Sequence, residues 1–73
     1  MARGENAEAA DWLRGPAEAG NVSAMADLGV ALGRLGWIRD SLRWWRRAAA
    51  AGDPWAAGKL QEAREAGLGD EMD

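Results

Sequence analysis

Apolar and small residues recur along the chain at the three- and four-residue spacing of an α-helix. The pattern is clearest in the third segment, which places four apolar side chains on one helical face: Ile38, Leu42, Trp45 and Ala49. The same spacing defines four helices, predicted near 6–15, 22–35, 38–51 and 54–66. Turns of only a few residues join them, and short connections make successive helices antiparallel neighbours. The sequence therefore predicts an all-α fold of four short antiparallel helices.

Turn and capping residues fall between these segments. Gly52 stands where a helix ends in a left-handed residue, and Asp53-Pro54 follows it directly. An aspartate accepts hydrogen bonds from the first free amides of a helix, and proline at the first helical position loses no bond. Asn21 follows Gly20 in the same way. These residues predict that new helices begin after Asn21 and after Asp53.

Two other features predict where helices end. Pro16 lacks an N–H group and its ring would clash with the carbonyl of Trp12, so the first helix is expected to kink or end there, with 16–19 as an irregular last turn. Gly67 is expected to end the last helix. The prediction is one helical domain over residues 1–69, followed by an acidic tail over 70–73.

The chain repeats itself after 32 residues. This shift aligns 11–28 with 43–60 without a gap and produces seven identical positions among 18. Two of the identities pair Trp12 with Trp44 and Gly20 with Gly52. Such internal similarity indicates a stack of related helix pairs, each of which leaves an apolar face for its neighbour to cover.

These residues resemble a tetratricopeptide-type helical repeat. The resemblance is carried by Leu28-Gly29, Gly36, Trp44-Trp45, Ala48-Ala49, Gly52-Asp53, Ala56 and Leu60. The run from Trp44 to Asp53 is most similar to the Sel-one-like subtype, although Ser41 stands where that subtype usually has alanine. The resemblance spans about residues 7–66 and implies an α-solenoid fragment of about two repeats, with the helices in the order B, A, B, A.

Residue size along the repeat predicts how the helices pack. Small residues such as Gly29 and Ala48 allow close approach of helix backbones. Large residues are expected to fill the remaining space: Trp12, Leu28, Leu32, Leu42, Trp45 and Leu60. About two repeats are fewer than the three or more that such arrays generally need. Either the repeats stack on a second copy, or they dock on a partner, or they belong to a longer array.

The composition argues against catalysis. The chain has no cysteine and no histidine, which excludes thiolate nucleophiles, imidazole bases and the commonest transition-metal ligands. Ser23 and Ser41 are the only hydroxyl nucleophiles. We therefore expect no enzyme, no cofactor and no bound metal. The sequence shows neither a secretory signal nor an apolar run of membrane-spanning length, and it predicts a cytoplasmic protein.

If the resemblance holds, the chain is a protein–protein interaction or scaffold module. In such repeats the A-helices line a concave groove that receives a partner peptide. The corresponding outward positions are Ser23, Asp27, Val30, Arg34, Trp55, Lys59 and Glu62. Trp55 is the most informative, because a tryptophan among charged residues is typical of an interface anchor. Its alternative role is structural, at the open end of the array.

A second hypothesis concerns the basic third segment. It carries four arginines, Arg39, Arg43, Arg46 and Arg47, close to three tryptophans. Such a helix could bind nucleic acid or an anionic membrane surface. The net charge of the whole chain is −3, and acidic segments flank the arginines on both sides. The sequence therefore favours a protein or peptide partner, or a homo-oligomer formed through the open repeat ends.

Overall fold

The computed structural model describes residues 2–67, which form four α-helices and, within that range, no strand. The helices are α1 (Ala2–Glu18), α2 (Val22–Arg34), α3 (Ile38–Ala50) and α4 (Pro54–Glu65). The predicted all-α fold of four helices is thereby confirmed. The acidic tail predicted at 70–73 lies outside the described residues.

Both predicted caps are present. The side-chain Oδ1 of Asn21 accepts a hydrogen bond from the backbone N–H of Ala24 at 3.0 Å. The Oδ1 of Asp53 accepts one from the N–H of Trp55 at 3.1 Å. Each cap satisfies an amide that has no partner within its own helix. These local bonds determine where α2 and α4 begin.

The first helix was expected to kink or end at Pro16, and the expectation that it ends there is wrong. Helix α1 begins at Ala2 and continues through Pro16 to Glu18. Proline removes one N–H donor, but the residues that follow it still close the helical ladder, since the N–H of Ala19 donates to the carbonyl of Gly15 at 3.0 Å. After Glu18 the chain turns at Gly20, whose φ of 104° is the left-handed conformation that glycine adopts without strain.

Two side-chain hydrogen bonds establish how α3 lies on α2. The Ser41 hydroxyl donates to the carbonyl oxygen of Gly29 at 2.7 Å, and the Trp45 indole Nε1–H donates to that of Ala26 at 3.1 Å. Contacts therefore move backward along α2 as the chain advances along α3, so the two helices are antiparallel. The indole also lies directly over Gly29, where a Cβ atom would overlap the ring.

The core runs along the interfaces of successive helices. Leu28, Leu32 and Leu42 are buried as expected, and Trp44 is only 6% exposed. Trp44 belongs to a cluster that includes Ala17 of α1 and the buried face of α2.

Three residues expected in the core are not buried. Leu60 and Trp45 are half-buried, and Trp12 is 75% exposed. The 32-residue shift aligns Trp12 with Trp44, but no other described helix covers the Trp12 ring. The packing role assigned to Trp12 is thus wrong because that role depends on a neighbour rather than on its own helix.

Candidate binding groove

A groove of about 420 Å³ opens between α2, α3 and α4. It is lined by Val30, Gly33, Arg34, Ile38, Ser41, Leu42, Trp45, Trp55, Lys59 and Ala63. Helices α2 and α4 form its two sides and α3 forms its floor. Its size falls in the range of ligand-binding clefts, which are mostly apolar with a few polar groups at the margin.

Two tryptophans meet edge to face at this groove. The ring centres of Trp45 and Trp55 are 6.0 Å apart and the ring planes make an angle of 85°. The bond to Ala26 fixes the Trp45 indole, and Trp45 in turn supports the ring of Trp55. Trp55 remains 45% exposed, so it presents a held aromatic surface to the groove.

The charged groups that line the groove are cations. Arg34 lies on the α2 side and Lys59 on the α4 side. The Nζ of Lys59 is 5.4 Å from the centre of the Trp55 ring and 3.2 Å from Oε1 of Glu62. Among the residues that the structure describes, Arg34 forms no ion pair. The Arg34 guanidinium is therefore available to pair with an anionic group of a ligand.

A second, smaller hollow adjoins the groove at the N-terminal part of α2. It has a volume of about 240 Å³ and is lined by Ser23, Ala26, Asp27, Val30, Asp53 and Trp55. Val30 and Trp55 line both spaces. The groove and the hollow together form one continuous concave surface on the side where α2 and α4 face each other.

Six of the seven predicted partner-binding residues line this surface. The larger groove contains Val30, Arg34, Trp55 and Lys59. Ser23 and Asp27 line the adjoining hollow. Glu62 lines neither space and reaches the surface only through its ion pair with Lys59.

The floor of the groove was not predicted from the sequence. Ile38, Leu42 and Trp45 belong to the apolar face predicted for α3, and of these Leu42 and Trp45 were expected to fill the core. Ile38 and Trp45 are only half-buried, because α4 contributes Trp55, Lys59 and Ala63 to this groove and leaves part of the face uncovered. No signal within α3 separates these half-buried residues from the buried Leu42, since their exposure depends on the residues that face them across the groove.

Ser41 has a structural hydrogen bond of its own. Ser41 is 1% exposed, and its hydroxyl donates a hydrogen bond to the Gly29 carbonyl. This hydrogen bond holds α3 against α2. Ser23, the other hydroxyl considered as a nucleophile, lies exposed in the adjoining hollow.

The four arginines of the basic patch lie on the exposed side of α3, and none of them lines the groove. Arg43 is 3.9 Å from the Asp40 carboxylate, and the Arg47 guanidinium lies 4.5 Å from the centre of the Trp44 ring. Trp37, before the first turn of α3, is 52% exposed. Apart from the contact of Arg47 with the Trp44 ring, the arginines lie on the exposed face, while Trp44 is buried and Trp45 faces the groove.

Within residues 2–67, no three acidic side chains come close enough together to hold a metal ion. In the same part of the chain, no helix combines the length and apolarity that crossing a membrane requires.

Comparison with known proteins yields no relative, since no protein-family model, no curated protein and no solved structure matches the chain. The likeness to tetratricopeptide-type repeats therefore rests on the residues of this chain alone.

Proposed function

We propose that this protein is a non-catalytic protein–protein interaction module that binds a peptide segment of a partner in the groove between α2, α3 and α4. The observation that carries the proposal is the half-exposed Trp55, held edge-on against Trp45 at a mostly apolar groove. Tryptophan is enriched among the residues that supply most of an interface's binding energy. A ring already held in place loses little freedom when a partner binds.

The groove supports a peptide ligand through its shape and chemistry. Apolar side chains from α2 and α3 form its interior, and Arg34 and Lys59 lie at its margin. A peptide side chain can enter the interior while its polar neighbours stay in water. This arrangement follows the common interface pattern of an apolar centre with a polar rim.

The nucleic-acid or membrane hypothesis receives less support from the geometry. Of the three tryptophans near the arginines, Trp44 is buried and Trp45 faces the groove. Trp37 alone remains to act together with the exposed arginines. Exposed arginines that flank a buried aromatic core are typical of a solvated helix face.

A peptide-display library selected on the immobilised protein tests the proposal. We expect enriched peptides whose affinity falls at least tenfold with Trp55→Ala, because that change removes the aromatic surface of the groove. Trp37→Ala is the matched control, since Trp37 is equally exposed but lies outside the groove. Failure to enrich any peptide, or an equal effect of both substitutions, would contradict the proposed function.

Self-association is the second candidate function, and the exposure of Trp12 favours it. Its repeat equivalent Trp44 is buried by neighbouring helices, whereas Trp12 is left uncovered. We propose that the Trp12 face of α1 packs against the same face of a second copy. A tryptophan of this size leaves a substantial apolar area in water when it is uncovered.

A further inference from the structure

The concave surface formed by the groove and the adjoining hollow carries charges of opposite sign at its two ends. Its smaller hollow carries two carboxylates, those of Asp27 and Asp53. Its larger groove carries two cations, those of Arg34 and Lys59. The apolar contact surface of Val30 and Trp55 lies between the two charged ends. A ligand that spans this surface therefore meets negative charge at one end and positive charge at the other.

The two groups available to a ligand are Asp27 and Arg34. Within the described residues neither forms an ion pair, and both are exposed. The other two charges are already engaged, since Asp53 accepts from the Trp55 amide and Lys59 pairs with Glu62. Recognition of ligand charge thus depends mainly on Asp27 and Arg34.

The helix determines the spacing of these two charges. Asp27 and Arg34 are seven residues apart on α2, which places them on one face and about 10 Å apart along the helix axis. Val30 lies on that face between them. A peptide in the polyproline II conformation advances about 3.1 Å per residue with three residues per turn, so charges three positions apart lie on one edge of the peptide and span about 9 Å.

We propose that the groove selects a peptide in the polyproline II conformation, with one cationic and one anionic side chain three positions apart and an apolar side chain between them. The cation lies beside Asp27, the anion beside Arg34, and the apolar side chain against Val30 and Trp55. This inference rests on the proposed peptide-binding function and adds the chemistry of the ligand.

Selectivity comes largely from repulsion. A peptide with two anionic groups brings one carboxylate beside Asp27, and a peptide with two cationic groups brings one cation beside Arg34. Unfavourable juxtaposition of like charges is an effective way to reject a wrong partner. Because both protein groups are exposed, we expect the preference to be about three- to tenfold and to decline with added salt.

Four capped peptides test the inference. Each carries leucine beside two positions that are three residues apart, and these positions hold lysine and glutamate, two glutamates, two lysines, or two glutamines. Binding is followed by nuclear magnetic resonance through the indole N–H signals of Trp45 and Trp55. We expect the lysine–glutamate peptide to bind three- to tenfold more tightly than the other three.

A charge reversal in the protein provides the decisive comparison. Asp27→Lys makes both ends of the surface cationic, so the preferred peptide should become the one with two glutamates. Asp11→Lys is the matched control, because Asp11 is an exposed residue of α1 that lines none of these spaces, and it should leave the preference unchanged.

The possible failures are distinguishable. Equal binding of all four peptides, or a preference that both lysine substitutions change alike, overturns the charge inference and leaves the peptide-binding function in place. If none of the four peptides, and none from the display library, shifts the two indole signals, the proposed function itself is overturned.

Discussion

Gly29 is the residue at which helix propensity and packing make opposite demands. Glycine in a helix interior costs up to about 1 kcal/mol relative to alanine. Yet the Trp45 indole occupies the space that a Cβ atom at Gly29 would need. The bond from Ser41 to the Gly29 carbonyl also depends on this close approach. The absence of a side chain at Gly29 therefore determines how closely α3 lies on α2.

Gly29→Ala should lower the free energy of unfolding by about 1–3 kcal/mol, because overpacking at the indole outweighs the gain in helix propensity. Gly58→Ala is the matched control, since Gly58 lies within α4 with no atom within 4 Å of an added Cβ, and it should stabilise by up to about 1 kcal/mol. Thermal unfolding followed by circular dichroism measures both. A rise in Tm for both variants would show that Trp45 moves aside at little cost.

Helix α1 shows the cost of a proline that the fold tolerates. Pro16 has no N–H to donate to the hydrogen-bond ladder of the helix, yet the helix continues to Glu18. Pro16→Ala restores that donor and removes the ring from the preceding turn, so it should stabilise the protein by about 1–2 kcal/mol. This is less than the cost of a proline at a helix centre, because only two helical residues follow Pro16.

Gly4→Ala serves as the control for α1. Gly4 is exposed and has space for a Cβ atom, so its substitution reports helix propensity alone, up to about 1 kcal/mol. Chemical denaturation of the two variants separates the effects. A loss of stability with Pro16→Ala would mean that the proline ring makes a packing contribution larger than the cost of its missing bond.

Helix boundaries were predictable wherever a capping residue determines them. Helices α2, α3 and α4 begin where expected and end one residue earlier than expected. The caps at Asn21 and Asp53 act within a few residues, so they can be recognised without knowledge of the fold. Helix α1 extends beyond its prediction at both ends, because no cap marks its start and Pro16 suggested a false end.

The groove shows what local patterns could not predict. The repeat placed residues of α2 and α4 on one concave side, since equivalent positions in a stack face the same way. The exposure of Trp55 and the incomplete burial of Ile38 and Trp45 depend instead on the sizes of residues that face each other across three helices. The exposure of these residues follows from how the three helices pack together, and no single segment of the sequence determines that packing.

At the scale of the whole molecule, the two ends of the helix stack differ in character. The α1 end exposes Trp12, whose repeat equivalent is buried. The α4 end exposes Gln61 and Arg64, which stand 32 residues after the buried Gly29 and Leu32. The outer face of α4 is therefore polar at these two positions, whereas α1 exposes a large apolar ring.

This difference predicts self-association through α1 alone. Light scattering across a concentration series should show a dimer that Trp12→Gln converts to a monomer, because the substitution removes the uncovered ring. Two controls should dimerise as the parent does: Trp37→Gln, which changes another exposed tryptophan, and Gln61→Arg, which changes the α4 end. Loss of the dimer with Gln61→Arg but not with Trp12→Gln would assign the contact to the opposite end, and a monomer at every concentration would exclude self-association.

Salt should strengthen such a dimer. Glu5 and Glu8 lie seven and four residues before Trp12 on the same face of α1, so two facing copies bring like charges together. Raising the ionic strength shortens the range of this repulsion while leaving apolar burial in place. The dimer dissociation constant should therefore fall between low and physiological salt, and Glu8→Gln should reproduce that fall at low salt. A dissociation constant that rises with salt would mean instead that α1 pairs with a basic surface such as the exposed face of α3.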